Sequence, residues 1–326
     1  MTLANLPPLV TVFGGSGFVG RHVVRALARR GFRIRVAVRR PDLAFFLQPL
    51  GNVGQISFVQ ANLRHRGSID AAVRDADHVV NCVGILFEAG RNTFDSVQEF
   101  GAKAVAEAAR AAGASLTHIS AIGADEKGEA AYARTKGRAE KAILEIKPDA
   151  VILRPSIVFG PEDGFFNKFA EMARFAPALP LIGGGKTAFQ PVYVADVAEA
   201  VARAIEGKVE KGRIYELGGP EVLTFRECLE RMLAAIDRKR GFVSLPFGIA
   251  SLIGSVASLI PLITPPLTPD QVTLLKKDNV VSKNAEQEGR TFKAFGIEPT
   301  LVEAILPSYL VRYRPQGQYT RSGKAA

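Results

Sequence analysis

The sequence predicts an α/β fold, a doubly wound parallel sheet followed by a smaller C-terminal lobe. Short apolar runs alternate with helical patterns from the start of the chain, and strands joined by helical crossovers must lie parallel. Glycines at GxxGxxG spacing stand between the first apolar run and the first helical pattern, where a doubly wound sheet makes its tightest turn. Length and composition agree: 326 residues, 47% hydrophobic and 23% charged, is an ordinary globular balance that excludes a disordered chain or a fibre.

Leu9 to Gly14 reads as a strand, Gly20 to Arg30 as a helix and Arg33 to Val38 as a second strand. The alternation continues with Ile56 to Gln60, His78 to Val83, Leu116 to Ser120 and Ala150 to Arg154 as strands, separated by helices such as Gly101 to Ala112 and Tyr132 to Ile146. From Gly160 onward Pro161, Pro177, Pro180, Gly183 to Gly185 and Pro191 cut the chain into short segments before a helix around Asp196 to Glu206. The expected division is a sheet domain over 1–160 to which 186–217 returns, a second lobe of 161–185 and 218–311, and a basic tail over 312–326.

Several function classes fall away on composition. Cys82 and Cys228 are the only cysteines and offer neither a disulfide framework nor a CxxC knuckle. His22, His65, His78 and His118 never recur at zinc-site spacing, so no metal is expected and each reads as a surface or cap residue. The net charge of +10 is uneven: the first 41 residues hold eight arginines and no acid, and Arg312, Arg314, Arg321 and Lys324 follow the last acid, Glu303. A cofactor phosphate, an acidic partner or a membrane surface accounts for such ends; no aromatic-interleaved RNA motif accompanies them, so nucleic acid is not an expected partner. Met1 to Pro8 shows no signal-peptide pattern, and the protein is expected to stay where it is made.

Gly241 to Pro269 runs 29 residues without a charge. Pro246, Pro261, Pro265, Pro266 and Pro269 interrupt it, and the longest proline-free run, the 14 residues Phe247 to Ile260, is short of the roughly 20 that a bilayer span needs. Within it Ile249, Leu252, Ile253, Val256, Leu259 and Ile260 follow helical spacing, with Gly248, Ser251, Gly254, Ser255 and Ser258 on the other face. Small uncharged residues suit close packing, either within the lobe itself or against a membrane protein or bilayer surface.

The residues that carry chemistry begin with Gly14, Gly15, Ser16, Gly17, Phe18, Val19 and Gly20. Glycines there let the backbone approach a pyrophosphate whose charge rests on a helix N-terminus, which points to a dinucleotide. Arg39 and Arg40 end the second strand, where arginine accepts a 2′-phosphate and an acid would receive ribose hydroxyls, so NADP(H) is favoured over NAD(H). Asn81-Cys82-Val83-Gly84 ends another strand beside the cofactor, with Cys82 read as a small buried residue. Tyr132 and Lys136 form YxxxK, one face of a helix. A lysine beside the phenol lowers its pKa and makes a general acid for hydride transfer; alternatively, Lys136 binds the nicotinamide ribose while Tyr132 packs.

With these motifs and Leu153-Arg154-Pro155-Ser156-Ile157-Val158-Phe159-Gly160 in order, the chain resembles the extended and atypical short-chain dehydrogenase/reductases, which carry a Rossmann sheet. The resemblance implies that Asn62-Leu63 meets adenine, with Asn62 in place of the usual acid, that Pro155, Ser156 and Ile157 line the nicotinamide, and that Ser120, at the cofactor, is all that remains of the run of hydroxyl residues that active members carry, so that the substrate-facing hydroxyl is missing. More specifically, Phe159-Gly160-Pro161-Glu162-Asp163, Phe165 to Phe169 and Gln190-Pro191-Val192-Tyr193-Val194-Ala195-Asp196-Val197 resemble the Rossmann-type accessory subunits of respiratory complex I. That resemblance implies an NADPH-holding, non-catalytic subunit of NADH:ubiquinone oxidoreductase on the peripheral arm, near the membrane and quinone site. Its partners are the other subunits there and lipid headgroups, on the cytoplasmic side of a bacterial inner membrane. The competing expectations are a free NADP-dependent reductase or epimerase acting through Tyr132 and Lys136, and a regulatory NADPH sensor.

Overall fold

The computed structural model describes the backbone of residues 6–258 and 267–316. Seven strands make the main sheet: β1 (Leu9–Phe13), β2 (Arg33–Val38), β3 (Ile56–Gln60), β4 (His78–Asn81), β5 (Ser115–Ile119), β6 (Val151–Pro155) and β7 (Ile214–Leu217). Their order is β7-β6-β5-β4-β1-β2-β3, every pair parallel. All five residues of β1 are buried, as a strand covered on both faces requires. The chain runs outward from β1 through β2 to β3 and then returns to place β4 on the other side of β1. This reversal opens a crevice at the carboxyl ends of β1 and β4.

The helices flanking the sheet are α1 (Phe18–Ala28), α2 (Arg66–Val73), α3 (Phe100–Ala111), α4 (Ala131–Ile146) and α6 (Val194–Ile205), while α5 (Phe166–Phe175), α7 (Phe225–Ala235) and α8 (Phe247–Ser258) belong to a second unit. On one face α1 packs with α6, and on the other α3 packs with α2 and α4. The second face buries Ile69, Val79, Val105, Leu116, Ile143 and Ile152 together with the alanines of α3. Gly101 opens that helix at a point where an added Cβ would stand 2.8 Å from the Cβ of Leu63.

The described residues divide into two units, one running to Ser156 and taking in Val194–Gly218 and Val281–Glu298, the other formed by Ile157–Tyr193, Gly219–Val280 and the chain from Pro299. These bounds differ from the expected ones at both returning segments. Val281 and Ala285 pack on Ile122, and the Ser282 amide donates to Glu216 at 2.7 Å, which ties 281–298 to the sheet unit. Conversely, the Phe225 amide donates to Thr187 O and the Asn279 amide to Ala188 O, each at 2.8 Å; Phe189 joins the aromatic core of the second unit with Phe165, Phe166, Phe169 and Phe225.

Arg312 and Arg314 are not part of a tail. Arg312 donates to Asn167 Oδ1 at 2.5 Å and Arg314 to Ala235 O at 2.9 Å, both within the second unit, while Arg321 and Lys324 lie outside the described residues. In α8 the buried positions are Ala250, fully buried, and Gly254, where a Cβ would meet the backbone of Leu267, Thr268 and Pro269 at 3.2–3.3 Å, whereas Gly248 and Ser255 of the expected small-residue face are exposed. Ile249, Leu252 and Ile253 stand 51%, 65% and 46% exposed; the side chains of Val256, Leu259 and Ile260 lie outside the described residues. Among the described residues no helix is long and apolar enough to cross a membrane.

Candidate functional site

The crevice at the end of β1 is built by three glycines. Gly14 takes φ +73° and its amide donates to Ala37 O at 3.0 Å, while the Gly17 amide donates back to Gly14 O at 2.9 Å. A Cβ on Gly20 would stand 2.1 Å from Gly14 O, so only glycine lets α1 seat on the turn. Gly17 caps α1 in extended conformation without a side-chain cap, and no acid occupies the first turn. Ser16, Phe18 and Val19 surround it at the mouth of the crevice. A first turn with neither a capping side chain nor an acid is the kind of helix N-terminus that suits an anion.

The two arginines after β2 separate in role. Arg40 is exposed and donates to Asp42 at 3.0 and 2.7 Å. Arg39 is also exposed and has no hydrogen bond or ion pair among the described residues. After β3, Asn62 accepts the Arg64 amide on Oδ1 at 3.1 Å and donates its own backbone amide to Ser68 Oγ at 3.0 Å. Leu63 is buried against Gly101. At the end of β4 the Cys82 amide donates to Phe13 O and the Val83 amide to the buried Asn81 Oδ1. A Cβ on Gly14 would touch Val83 at 3.0 Å, and one on Gly84 would lie 3.6 Å from Lys136 Nζ, so β1, β4 and α4 converge here.

Lys136 and Tyr132 behave differently from the expected pair. Lys136 is buried, and its Nζ donates to Ile119 O at 3.0 Å; burial pushes the ammonium down to about 8. The Tyr132 phenol, packed edge-on against Phe94 at 5.9 Å, is pushed up to about 12 by desolvation. The expectation that the lysine lowers the phenol is thus corrected: the ammonium points into the sheet, and burial governs both groups. A buried ion network braces α4, with Arg154 paired to Glu140 at 2.5 Å and to Glu216 at 3.5 Å.

Ser120 is 4% exposed, and among the described residues its Oγ has no partner. Beside it His118, 1% exposed, has neither ring nitrogen bonded and is held well below its usual pKa by burial and by Lys136. His118 was expected as a surface or cap residue; its place in β5, two before Ser120 just past the strand end, is the signal that puts both on one face. Burial pushes the Cys82 thiol up to about 12, so it is not a thiolate nucleophile. Pro155 O accepts the Ile122 amide at 3.0 Å, and the buried Ser156 donates its amide to Leu217 O at 2.9 Å. Ile157 belongs to the second unit and packs on its aromatic core.

The glycine cradle, the uncapped helix and the orphaned Ser120 hydroxyl fit a dinucleotide. Residues 10–218 match the model of the NAD dependent epimerase/dehydratase family. The subunit named NADH dehydrogenase [ubiquinone] 1 alpha subcomplex subunit 9, mitochondrial, of Arabidopsis thaliana is 33% identical over 320 residues, 95% of this chain and 79% of that protein. A ceramide reductase of Caulobacter vibrioides is 34% identical over 174 residues, covering 53% of this chain and 54% of that one. Among solved structures, the UDP-glucose 4-epimerase of Thermus thermophilus in complex with NAD shares the fold with a TM-score of 0.67 at 22% identity, over 94% of this chain and 99% of that one. The chain belongs to the NAD dependent epimerase/dehydratase family, whose fold carries a nicotinamide dinucleotide, and within it to the family of the complex I alpha subcomplex subunit 9.

Proposed function

We propose that the protein is an accessory subunit of a respiratory NADH:quinone oxidoreductase that holds NADPH without turning it over. The observation that carries this reading is the likeness to the plant subunit across 95% of the chain. The site favours holding over chemistry: a phenol pushed up to about 12 is a poor proton donor at neutral pH, and the lysine that should assist it is bonded to a backbone carbonyl. Arg39 at the end of β2 supports the 2′-phosphate and so NADPH. The outward aliphatic face of α8, flanked in sequence by Arg238 to Arg240 and by Lys276 and Lys277, supports a seat at the membrane junction against neighbouring subunits and anionic headgroups. In a bacterial cell that seat is the cytoplasmic face of the inner membrane.

A second reading, a free NADP-dependent reductase, is favoured by Tyr132 and Lys136 on α4 and by the partial likeness to a ceramide reductase. Native purification from membranes in mild detergent, with mass spectrometry of co-migrating chains and released nucleotide, separates the two. Co-migration with NADH:quinone oxidoreductase activity and release of NADPH are expected. A solitary soluble protein that oxidises NADPH when a carbonyl compound is added, and loses that activity in Tyr132→Phe, would overturn the proposal.

A further inference from the structure

Residues 21–66 hold ten arginines, one acid, Asp42, and no lysine, and part of that charge is arranged beside exposed apolar side chains. Arg21, Arg25 and Arg29 stand four apart, which places them on one side of α1. The Arg21 guanidinium lies over the ring of Phe46, 4.8 Å from its centroid, so that side adjoins the 3-10 helix Pro41–Leu50, which packs on α1. Arg25 and Arg29 are exposed, and their side chains have no hydrogen bond or ion pair among the described residues. Arg30, by contrast, turns to Glu199 and Glu206. Leu43, Phe45 and Phe46 of the 3-10 helix are each at least half exposed, and Val53 beyond it is fully so. This group is braced from behind. Phe45 packs edge-on against Phe58 of β3 at 5.2 Å, and Gln55 donates to Ala28 O at 2.8 Å and to Phe32 O at 3.0 Å, which holds the turn bearing Val53 against the end of α1. All of these residues lie in the sheet unit, by β3, the last strand of the sheet. Exposed apolar side chains held in place beside unengaged arginines mark a surface that another molecule covers.

We propose that this face docks an acidic segment of a neighbouring subunit, whose carboxylates pair with Arg25 and Arg29 and whose apolar side chains cover Leu43, Phe45 and Phe46. The assignment rests on the accessory-subunit reading above. The residue types choose a protein over a lipid surface: protein interfaces concentrate arginine and aromatic residues and are poor in lysine, whereas anionic headgroups draw lysine and arginine alike, and this stretch has no lysine. Arginine also meets a carboxylate with two parallel N–H bonds. Four residues of helix put Arg25 and Arg29 about 6 Å apart along the axis, near the spacing of carboxylates one turn apart on a helix or two residues apart on a strand. Phe45 and Phe46, already held by Phe58 and Arg21, lose little freedom on docking.

The test uses the full chain purified from native membranes in mild detergent, together with the NADH:quinone oxidoreductase activity that accompanies it. The first lysine of the chain is Lys103, so Arg25→Lys and Arg29→Lys place side-chain amines where wild type has none, and a carbodiimide joins an amine to a carboxylate only at contact distance. Mass spectrometry is expected to find amide cross-links from positions 25 and 29 to Asp or Glu of another subunit. Arg25→Glu combined with Leu43→Glu is expected to lower the chain recovered with that activity by about tenfold or more, with an unchanged melting temperature. Should the double variant not fold, the charge-conserving lysine variants decide alone. Cross-links only to a second copy of the chain, or none, overturn the assignment. So does binding of the wild-type chain to vesicles of phosphatidylcholine and phosphatidylglycerol that the double variant abolishes, since the face is then a lipid surface. A wild-type chain that does not co-migrate with the activity overturns the accessory-subunit reading and this assignment with it.

Discussion

Lys136 is the side chain on which the site's electrostatics turn. Its ammonium is buried and held by Ile119 O, with a pKa near 8 against about 10.4 for an unfolded lysine. Between those values the unfolded chain binds more protons than the folded one, so this group makes stability rise with pH from about 8 to 10. Below pH 8 its full cost, about 3 kcal/mol, is present. The Tyr132 phenol and the Cys82 thiol, both pushed up to about 12, act in the opposite sense, since the unfolded chain gives up their protons first. A comparison with Lys136→Met isolates the lysine because those two groups are common to both proteins. Denaturant unfolding from pH 7 to 10 is expected to show the stability of wild type gaining on that of the methionine variant by about 3 kcal/mol; a constant difference across the range would show that Lys136 is not desolvated. The same variant should retain less NADPH, since the methionine has no donor for the ribose.

At the scale of elements, α8 carries the clearest division of labour. Gly254 faces Leu267 to Pro269 at a distance too short for a larger residue to enter without displacing that backbone, so Gly254→Val is expected to destabilise the chain by about 1–3 kcal/mol, measured by chemical denaturation. Leu252, 65% exposed, should accept Leu252→Glu with a change within about 0.5 kcal/mol, yet the protein should then wash from membranes in lower salt. Wild-type membrane retention in Leu252→Glu would remove that face from the proposed junction. The sequence showed which residues of this helix are small and which are large, but not that Ala250 and Gly254 alone of the small ones described are buried, because nothing local says that residues 267–269 come back to cover Gly254. The same limit explains the return of 281–298 to the sheet, which depends on Val281 and Ala285 meeting Ile122 across a long separation. The strands, the glycine turn and the helix bearing Tyr132 were legible because periodicity of two or of 3.6 and the Gly14–Gly20 spacing are local signals. The direction of the Lys136 head group was not, since YxxxK fixes a shared face and says nothing of the Ile119 carbonyl that captures the ammonium.

For the whole molecule the question is whether the dinucleotide is a reactant or a part of the structure. A ligand that binds only the folded chain stabilises it by mass action, by about 2.7 kcal/mol when free ligand is 100 times its dissociation constant. Thermal unfolding with NADPH in excess is therefore expected to shift upward by several degrees, and NADH at the same concentration to shift it less if Arg39 receives the 2′-phosphate as proposed. Equal shifts would remove the 2′-phosphate from the site, and no shift with either would remove the dinucleotide. The rate of release then separates a holder from an enzyme. A reductase must let go of its oxidised product in every cycle, so its nucleotide exchanges at least as fast as it turns over. A holder has no cycle to complete, and slow release costs it nothing. NADPH that survives prolonged dialysis, still reduced and still raising the melting temperature, is the expected joint result; nucleotide lost within minutes under the same conditions would return the protein to the class that must release a product to function.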